Sequence, residues 1–213
     1  MLTVHHLGVS QSERIVWLCE ELEIPYELKL YARDPVTRLA PAAYKALHPS
    51  GTAPVIEDDG VVLAESGAII DYILARYGEG RLTVAPTDPE FPAFLFWRHF
   101  AGATLGADDM MRILAGAMGL GPDHPLGAFV EDRAARAYAM VEARLGEAPY
   151  FGGPSLTVAD IMMAFHLTTV RAFAPRDFSG SPNILAYLQR IAAGRASQRA
   201  MAKGDSGMAL LLT

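Results

Sequence analysis

Within the stretch HPSGTAPVIEDDGVVLAESGAIIDYILA, residues 48–75, two features suit the two ends of a small peptide-like ligand. Ala53-Pro54 stands at the start of an apolar run, Val55-Ile56. A proline there can simply trim a strand end. If its peptide bond is cis, as in about 5% of X-Pro bonds, the Ala53 amide and carbonyl turn outward. They could then exchange two backbone hydrogen bonds with a bound peptide. Glu65-Ser66 opens an amphipathic segment. Both residues are good helix-start residues in their own right. A hydroxyl and unpaired amides at a helix N-terminus can also hold a carboxylate, and Glu65 could receive the ammonium of the same amino acid. Thr52 flanks the first feature.

A third feature, Ser10-Gln11-Ser12, lies between an apolar run and the first helical pattern. One reading is an N-cap; the other is a hydroxyl that donates to a thiolate. A free thiol titrates near 8.5. A helix N-terminus contributes about 0.3–2 kcal/mol and a hydrogen bond to a charged group about 1.5–3 kcal/mol. Together these bring a bound thiol to a pKa between about 5 and 7.5, without a metal or a histidine base. Cys19, the single cysteine, falls in mid-helix on the apolar face and is expected in the core. No Cys-x-x-Cys is present, so dithiol exchange is excluded. His5, His6, His48, His99, His124 and His166 lack metal-site spacing and are expected in packing, capping or surface roles. Met110, Met111, Met118, Met162 and Met163 are expected mostly in the core, with some able to line an apolar pocket. Thr157-Val-Ala-Asp160 is a capping box.

The elements that must position these groups follow from periodicity. Leu2–Leu7 reads as a buried strand. Glu13–Leu22 reads as a helix, with Ile15, Leu18, Cys19 and Leu22 on one face. Tyr26–Tyr31 alternates, with Tyr26, Leu28 and Leu30 on one side. This is a β-α-β unit, which implies parallel strands and a right-handed crossover. A short helix is expected over Pro41–Leu47, a hairpin around Asp58-Asp59-Gly60, and a helix over Glu65–Tyr77. Prolines 86, 89 and 92 and glycines 78 and 80 then make a linker. Beyond it strand signals vanish. One long helix is expected over Phe91–Met118, bent near Gly102 or Gly106, with others over Ala128–Leu145, Thr157–Val170, Pro182–Ile191 and near Gln198. The fold class is α+β, with a small sheet domain over 1–79, a linker over 80–91 and an all-α domain over 92–213.

Bulk properties exclude some partners. With 213 residues and a net charge of -6, there is no basic surplus to displace counterions from nucleic acid. No apolar run approaches the roughly 20 residues that cross a bilayer. The N-terminus lacks a basic start followed by an apolar run, so no secretory signal is expected. One cysteine fits a reducing, cytoplasmic setting.

The segments SERIVWLCEELEIPYE, HPSGTAPVIEDDG, LAESGAIIDYILARYG and SLTVADIMMA together resemble cytosolic glutathione S-transferases along nearly the whole chain. The Arg-x-x-Trp-Leu run, Arg14 to Leu18, is similar to that of a serine-type subgroup of bacterial and fungal members. The resemblance implies a thioredoxin-like N-terminal domain, an all-helical C-terminal domain and a homodimer. It implies glutathione as co-substrate, bound by Thr52, Ala53, Pro54, Glu65 and Ser66, with Val55 on the same wall. It places the catalytic hydroxyl at Ser10, or at Ser12 if the turn shifts by a step. Val9, Phe100, Thr104 and Met111 are the candidates for a hydrophobic substrate site. Three positions depart from the family pattern: Val9, where some classes carry the reacting serine, Thr52, where Lys or Gln is common, and Gly102, where an acidic residue is common. The implied activity is conjugation of glutathione to small apolar electrophiles, as in detoxification. The alternatives are a non-catalytic binding module and glutathione-dependent peroxide reduction or isomerisation.

Overall fold

A computed structural model describes residues 1–208. Four strands form one mixed sheet in the order β2-β1-β3-β4: β1 Thr3–Leu7, β2 Glu27–Tyr31, β3 Val55–Asp58 and β4 Val61–Ala64. β1 and β2 are parallel, with Thr3 opposite Glu27 and Leu7 opposite Tyr31, and helix α1 (Glu13–Leu22) makes the crossover. β3 runs antiparallel to both neighbours. Its hairpin to β4 turns through Asp59 (φ 49°) and Gly60 (φ 84°), both left-handed, as a twisted two-residue turn requires. α3 (Ser66–Ile73) follows β4 and runs on into a π turn, Leu74–Gly78.

Val4, Ile15, Leu18, Leu22, Ile56, Ile69, Ile70 and Ile73 are fully or almost fully buried where α1 and α3 pack on the sheet. Each such side chain stabilises by about 1.5–3 kcal/mol. A second cluster joins Leu7, Tyr44, Val55 and Ala64, with Ala53 packed against it. Tyr44, from the short helix α2 (Ala42–Lys45), donates to the His5 carbonyl at 3.2 Å. It therefore ties the Ala53–Val55 segment to the middle of the sheet.

Leu30, which alternation places on the same side as Leu28, is 59% exposed. β2 is an edge strand, and Tyr31 turns inward instead to meet the Tyr44 ring edge-on at 5.1 Å. The long helix expected over Phe91–Met118 is α4 (Phe91–Phe100), a π turn (Ala101–Leu105) and α5 (Gly106–Ala117). The irregularity falls where Gly102 and Gly106 weaken helical preference. α6 (Pro125–Glu147) starts earlier than expected, because Pro125 occupies its first turn and the His124 side chain accepts from Leu126 N. α7 (Val158–Leu167) starts on the expected capping box, which is present. α8 (Pro182–Ala192) and α9 (Arg195–Gly204) complete the described elements.

The chain forms two compact units. One is Met1–Arg81 joined by the segment from Ala193, and the other is Leu82–Ala192. The domain expected over 92–213 is thus divided, since α9 packs on α1 in the sheet unit. Glu20 on α1 accepts from Arg199 Nε at 2.8 Å, from Tyr26 at 2.8 Å and from Lys203. In the helical unit, the rings of Trp97, Phe151 and Tyr187 pack at about 5 Å centroid separations, the middle ring 5.2 Å from each neighbour. Among the described residues no helix is long and apolar enough to cross a membrane.

Candidate functional site

The site grows from the loop between β1 and α1. Val9 has a left-handed backbone (φ 53°) and Ser12 is the N-cap of α1. The amides of Glu13, Arg14 and Ile15 bond the carbonyls of Ser10, Gln11 and Ser12 at 3.0–3.2 Å. The helix start therefore presents its dipole and side chains here, with those three amides already used. Ser10 is 6% exposed and its hydroxyl lies 2.7 Å from the Leu7 carbonyl and 2.8 Å from Ser12 Oγ. Ser12 is fully buried. Its oxygen accepts from Leu7 N at 3.1 Å and lies 2.9 Å from His6 Nδ1.

At the start of α3, Glu65 is exposed and holds φ 73°, ψ 120°, a conformation costing an L-residue about 1–3 kcal/mol. Its carbonyl accepts the first helical bond, from Ile69 N at 2.9 Å. The amides of Ser66, Gly67 and Ala68 precede that bond and mark the positive end of the helix. The Glu65 side chain makes no capping bond, so its carboxylate is not spent on the helix.

Arg14 and Gln11 link the two features, although neither was among the sequence-derived site residues. Arg14 is 1% exposed, and its Nη1 donates to Ser66 Oγ at 3.3 Å and to Gln11 Oε1. Ser66 Oγ in turn donates to Gln11 Oε1 at 3.5 Å. Helical spacing showed Arg14 only as one polar residue on an apolar helix. The available signal was that a buried arginine needs an acceptor.

The Ala53-Pro54 bond is cis. The β1–β3 register ends at His5 opposite Val55, so Ala53 stands beyond the paired ladder. Val55 is buried in the cluster with Tyr44. Thr52 is exposed, and its hydroxyl donates to Ser50 Oγ at 3.2 Å. Phe100, at the end of α4, is buried; it stacks on Phe96 at 5.3 Å and meets Trp97 edge-on at 5.1 Å. Thr104 and Met111 are half-buried, on the π turn and α5. Val9 belongs to the sheet unit and the other three to the helical unit. Cys19 is completely buried, and burial pushes its thiol up to about 12, so it stays protonated at neutral pH.

Comparisons with known proteins identify the family. Residues 10–76 match the model of the glutathione S-transferase N-terminal domain, and residues 106–190 match that of the C-terminal domain. Glutathione S-transferase 3 of Schizosaccharomyces pombe is 42% identical over 105 residues, which is 49% of this chain and 43% of the yeast protein. Glutathione S-transferase 1 of Saccharomyces cerevisiae is 28% identical over 90% of each chain. A glutathione S-transferase crystal structure from Actinobacillus pleuropneumoniae superposes with a TM-score of 0.87 at 32% identity, covering 98% of this chain and 97% of that one.

Proposed function

The chain belongs to the glutathione S-transferase family and is an enzyme of that class, and from this premise we propose that it ionises the glutathione thiol at the Ser10 turn and adds the sulfur to small apolar electrophiles. One observation carries the reading. Gln11, from the turn suited to a thiol, and Ser66, from the helix start suited to a carboxylate, share a hydrogen bond above a buried Arg14. A ligand with a carboxylate at one end and a thiol some residues away matches that pairing.

In this reading the γ-glutamyl carboxylate takes the amides opening α3 and the Ser66 hydroxyl, whose proton turns from Gln11 to the ligand, with Arg14 adding positive charge beside it. Glu65, exposed and free of capping, receives the ammonium. The Ala53 backbone, outside the sheet ladder beside cis-Pro54, pairs with the cysteinyl peptide. Thr52 borders that margin. Ser10 is favoured over Ser12 as the group facing sulfur, because Ser12 is fully buried and its oxygen already serves Leu7 N and His6. The thiolate then attacks an electrophilic carbon; a C–S bond forms and the leaving group departs with its electron pair. Holding both reactants supplies the rest of the acceleration. Thr104 and Met111 are the helical unit's candidate contacts for the apolar substrate. The assembly is proposed to be a closed homodimer, tested by light scattering, where a monomer mass at micromolar concentration would refute it.

The functional test is conjugation of a chloronitroarene. Ser10→Ala is expected to lower kcat by about 10²–10³-fold, as for loss of one donor to a developing anion, with the KM for glutathione little changed. Full activity in Ser10→Ala would remove the hydroxyl mechanism.

A further inference from the structure

Behind Ser10 lies a chain of buried hydrogen bonds that the reaction described above does not use. Ser10 Oγ is 2.8 Å from Ser12 Oγ, Ser12 Oγ is 2.9 Å from His6 Nδ1, and His6 Nε2 is 3.0 Å from Asp205 Oδ2. His6 and Ser12 are at most 1% exposed, and Asp205 arrives from the segment following α9. Asp205 Oδ1 also accepts from Val9 N at 2.9 Å, so the same carboxylate holds the turn that carries Ser10. Gly204 makes the approach possible, since a Cβ there would lie 3.1 Å from His6 Nε2.

The polarity of this chain is dictated from its far end. Burial pushes the Asp205 carboxyl up, but the hydrogen bonds from His6 and the Val9 amide and the Arg33 charge act the other way, and it is held below the usual carboxylate range. A carboxylate requires the proton of His6 on Nε2. Nδ1 of the neutral ring is then an acceptor and takes the Ser12 hydroxyl proton. Ser12 Oγ, which also lies 3.3 Å from the Leu7 carbonyl, then accepts from Leu7 N and Ser10 Oγ. Ser10 therefore turns its own proton inward, to Ser12 or the Leu7 carbonyl, and keeps a lone pair for an incoming donor. The charged groups around His6 are Asp205, beyond β1, and Arg33, after β2, which donates to the Gly8 and Val9 carbonyls at 2.8 and 3.0 Å. α1 contributes the Ser12 hydroxyl.

We propose that His6, held by Asp205, is a positioning residue that receives the glutathione thiol proton through the Ser10 and Ser12 hydroxyls. The inference rests on the reading of Ser10 as the residue facing sulfur. The S–H bond breaks and its proton passes to Ser10 Oγ. The former Ser10 proton passes to Ser12 Oγ, and the former Ser12 proton forms the N–H bond at His6 Nδ1. Each hydroxyl gains one proton and gives one, and no other reactant is needed. The imidazolium is paired with Asp205, and Ser10 now donates to the thiolate. One hydroxyl thus serves as acceptor before ionisation and donor after it. The proton returns to solvent on product release.

The test uses the full chain and two ligands, glutathione and S-methylglutathione, which has no thiol proton. Ultraviolet absorbance measures bound thiolate. Calorimetry in buffers of unlike ionisation enthalpy counts protons released on binding. Wild type is expected to form thiolate while releasing less than the matching proton. His6→Asn, which keeps a polar group toward Ser12 but no base, and Asp205→Asn are expected to lose thiolate or release the missing proton. Their kcat/KM is expected to fall by about 10²-fold, with S-methylglutathione affinity unchanged. If His6→Asn does not fold, Gly204→Ala displaces His6 with all four relay residues intact and is expected to show the same loss. Wild-type thiolate fraction and proton count in the variants would overturn the relay, as would an equal loss of S-methylglutathione affinity, which marks a purely structural pin. Ser10→Ala separates the two readings. If it keeps the thiolate, the role of Ser10 fails and the relay with it. If it loses the thiolate while the His6 and Asp205 variants keep it, the relay alone fails.

Discussion

Ser66 is the residue at which two demands meet. Its hydroxyl accepts from a buried guanidinium and donates to Gln11, so it is oriented before any ligand arrives. Ser66→Ala removes that oriented group but leaves the helix dipole. Glutathione affinity is expected to fall by about tenfold, the equivalent of roughly 1.4 kcal/mol, measured by calorimetry, with kcat at saturation unchanged. A kcat loss as large as the affinity loss would count against a binding-only role. Glu65 makes a complementary case. Its φ of 73° is held against a strain of about 1–3 kcal/mol. Glycine there relieves the strain but adds about 0.5–1 kcal/mol of unfolded-chain entropy. Glu65→Gly is thus expected to raise stability by about 1 kcal/mol in denaturant titration while weakening glutathione binding. Unchanged binding would remove Glu65 as the ammonium partner.

Among the elements, α7 and α9 show how one end of a helix can hold a unit together. The α7 capping box is buried, with Thr157 N and Oγ1 donating to Asp160 Oδ2 at 2.8 and 3.0 Å and Phe151 N donating to Oδ1 at 2.9 Å. Thr157→Ala is expected to cost about 1–2 kcal/mol, read from the unfolding midpoint, without changing the glutathione Kd. The cap joins the loop before α7 to the helix and lies in the helical unit. α9 is fastened to α1 through Glu20, where Arg199, Tyr26 and Lys203 converge. Burial pushes Glu20 up, and those three donors more than reverse it, leaving the carboxyl below its ordinary value.

For the whole molecule, the notable consequence is that the segment after Ala193 returns to the sheet unit and carries a carboxylate into the site loop. Two acids, Glu20 and Asp205, fasten that segment, and both are held below their usual range. A depressed carboxyl stabilises fully above its unfolded value, near 4, and that contribution drains away as pH falls through the lower folded value. Acid is therefore expected to loosen α9 before the rest of the sheet unit. Hydrogen exchange across 195–205 between pH 6 and pH 3, the range set by those ordinary carboxyl values, checks it. Uniform loss of protection along the chain at the acid end would refute it.

Much of this was legible in the chain itself. The β-α-β start, the Asp59-Gly60 hairpin, the capping box and the Glu65-Ser66 helix opening were readable because each is governed by neighbours within a few positions, where periodicity and turn chemistry act. The inward turn of Tyr31, the return of α9 to the first unit, the buried Arg14 beneath Ser66 and the line from Ser10 to Asp205 were decided by tertiary structure. His6 and Asp205 are 199 positions apart, and no local preference connects them. Their meeting depends on how much apolar surface α9 and α1 bury together, and on the cost of leaving a buried imidazole or carboxylate unpaired, quantities that exist only once the chain has folded.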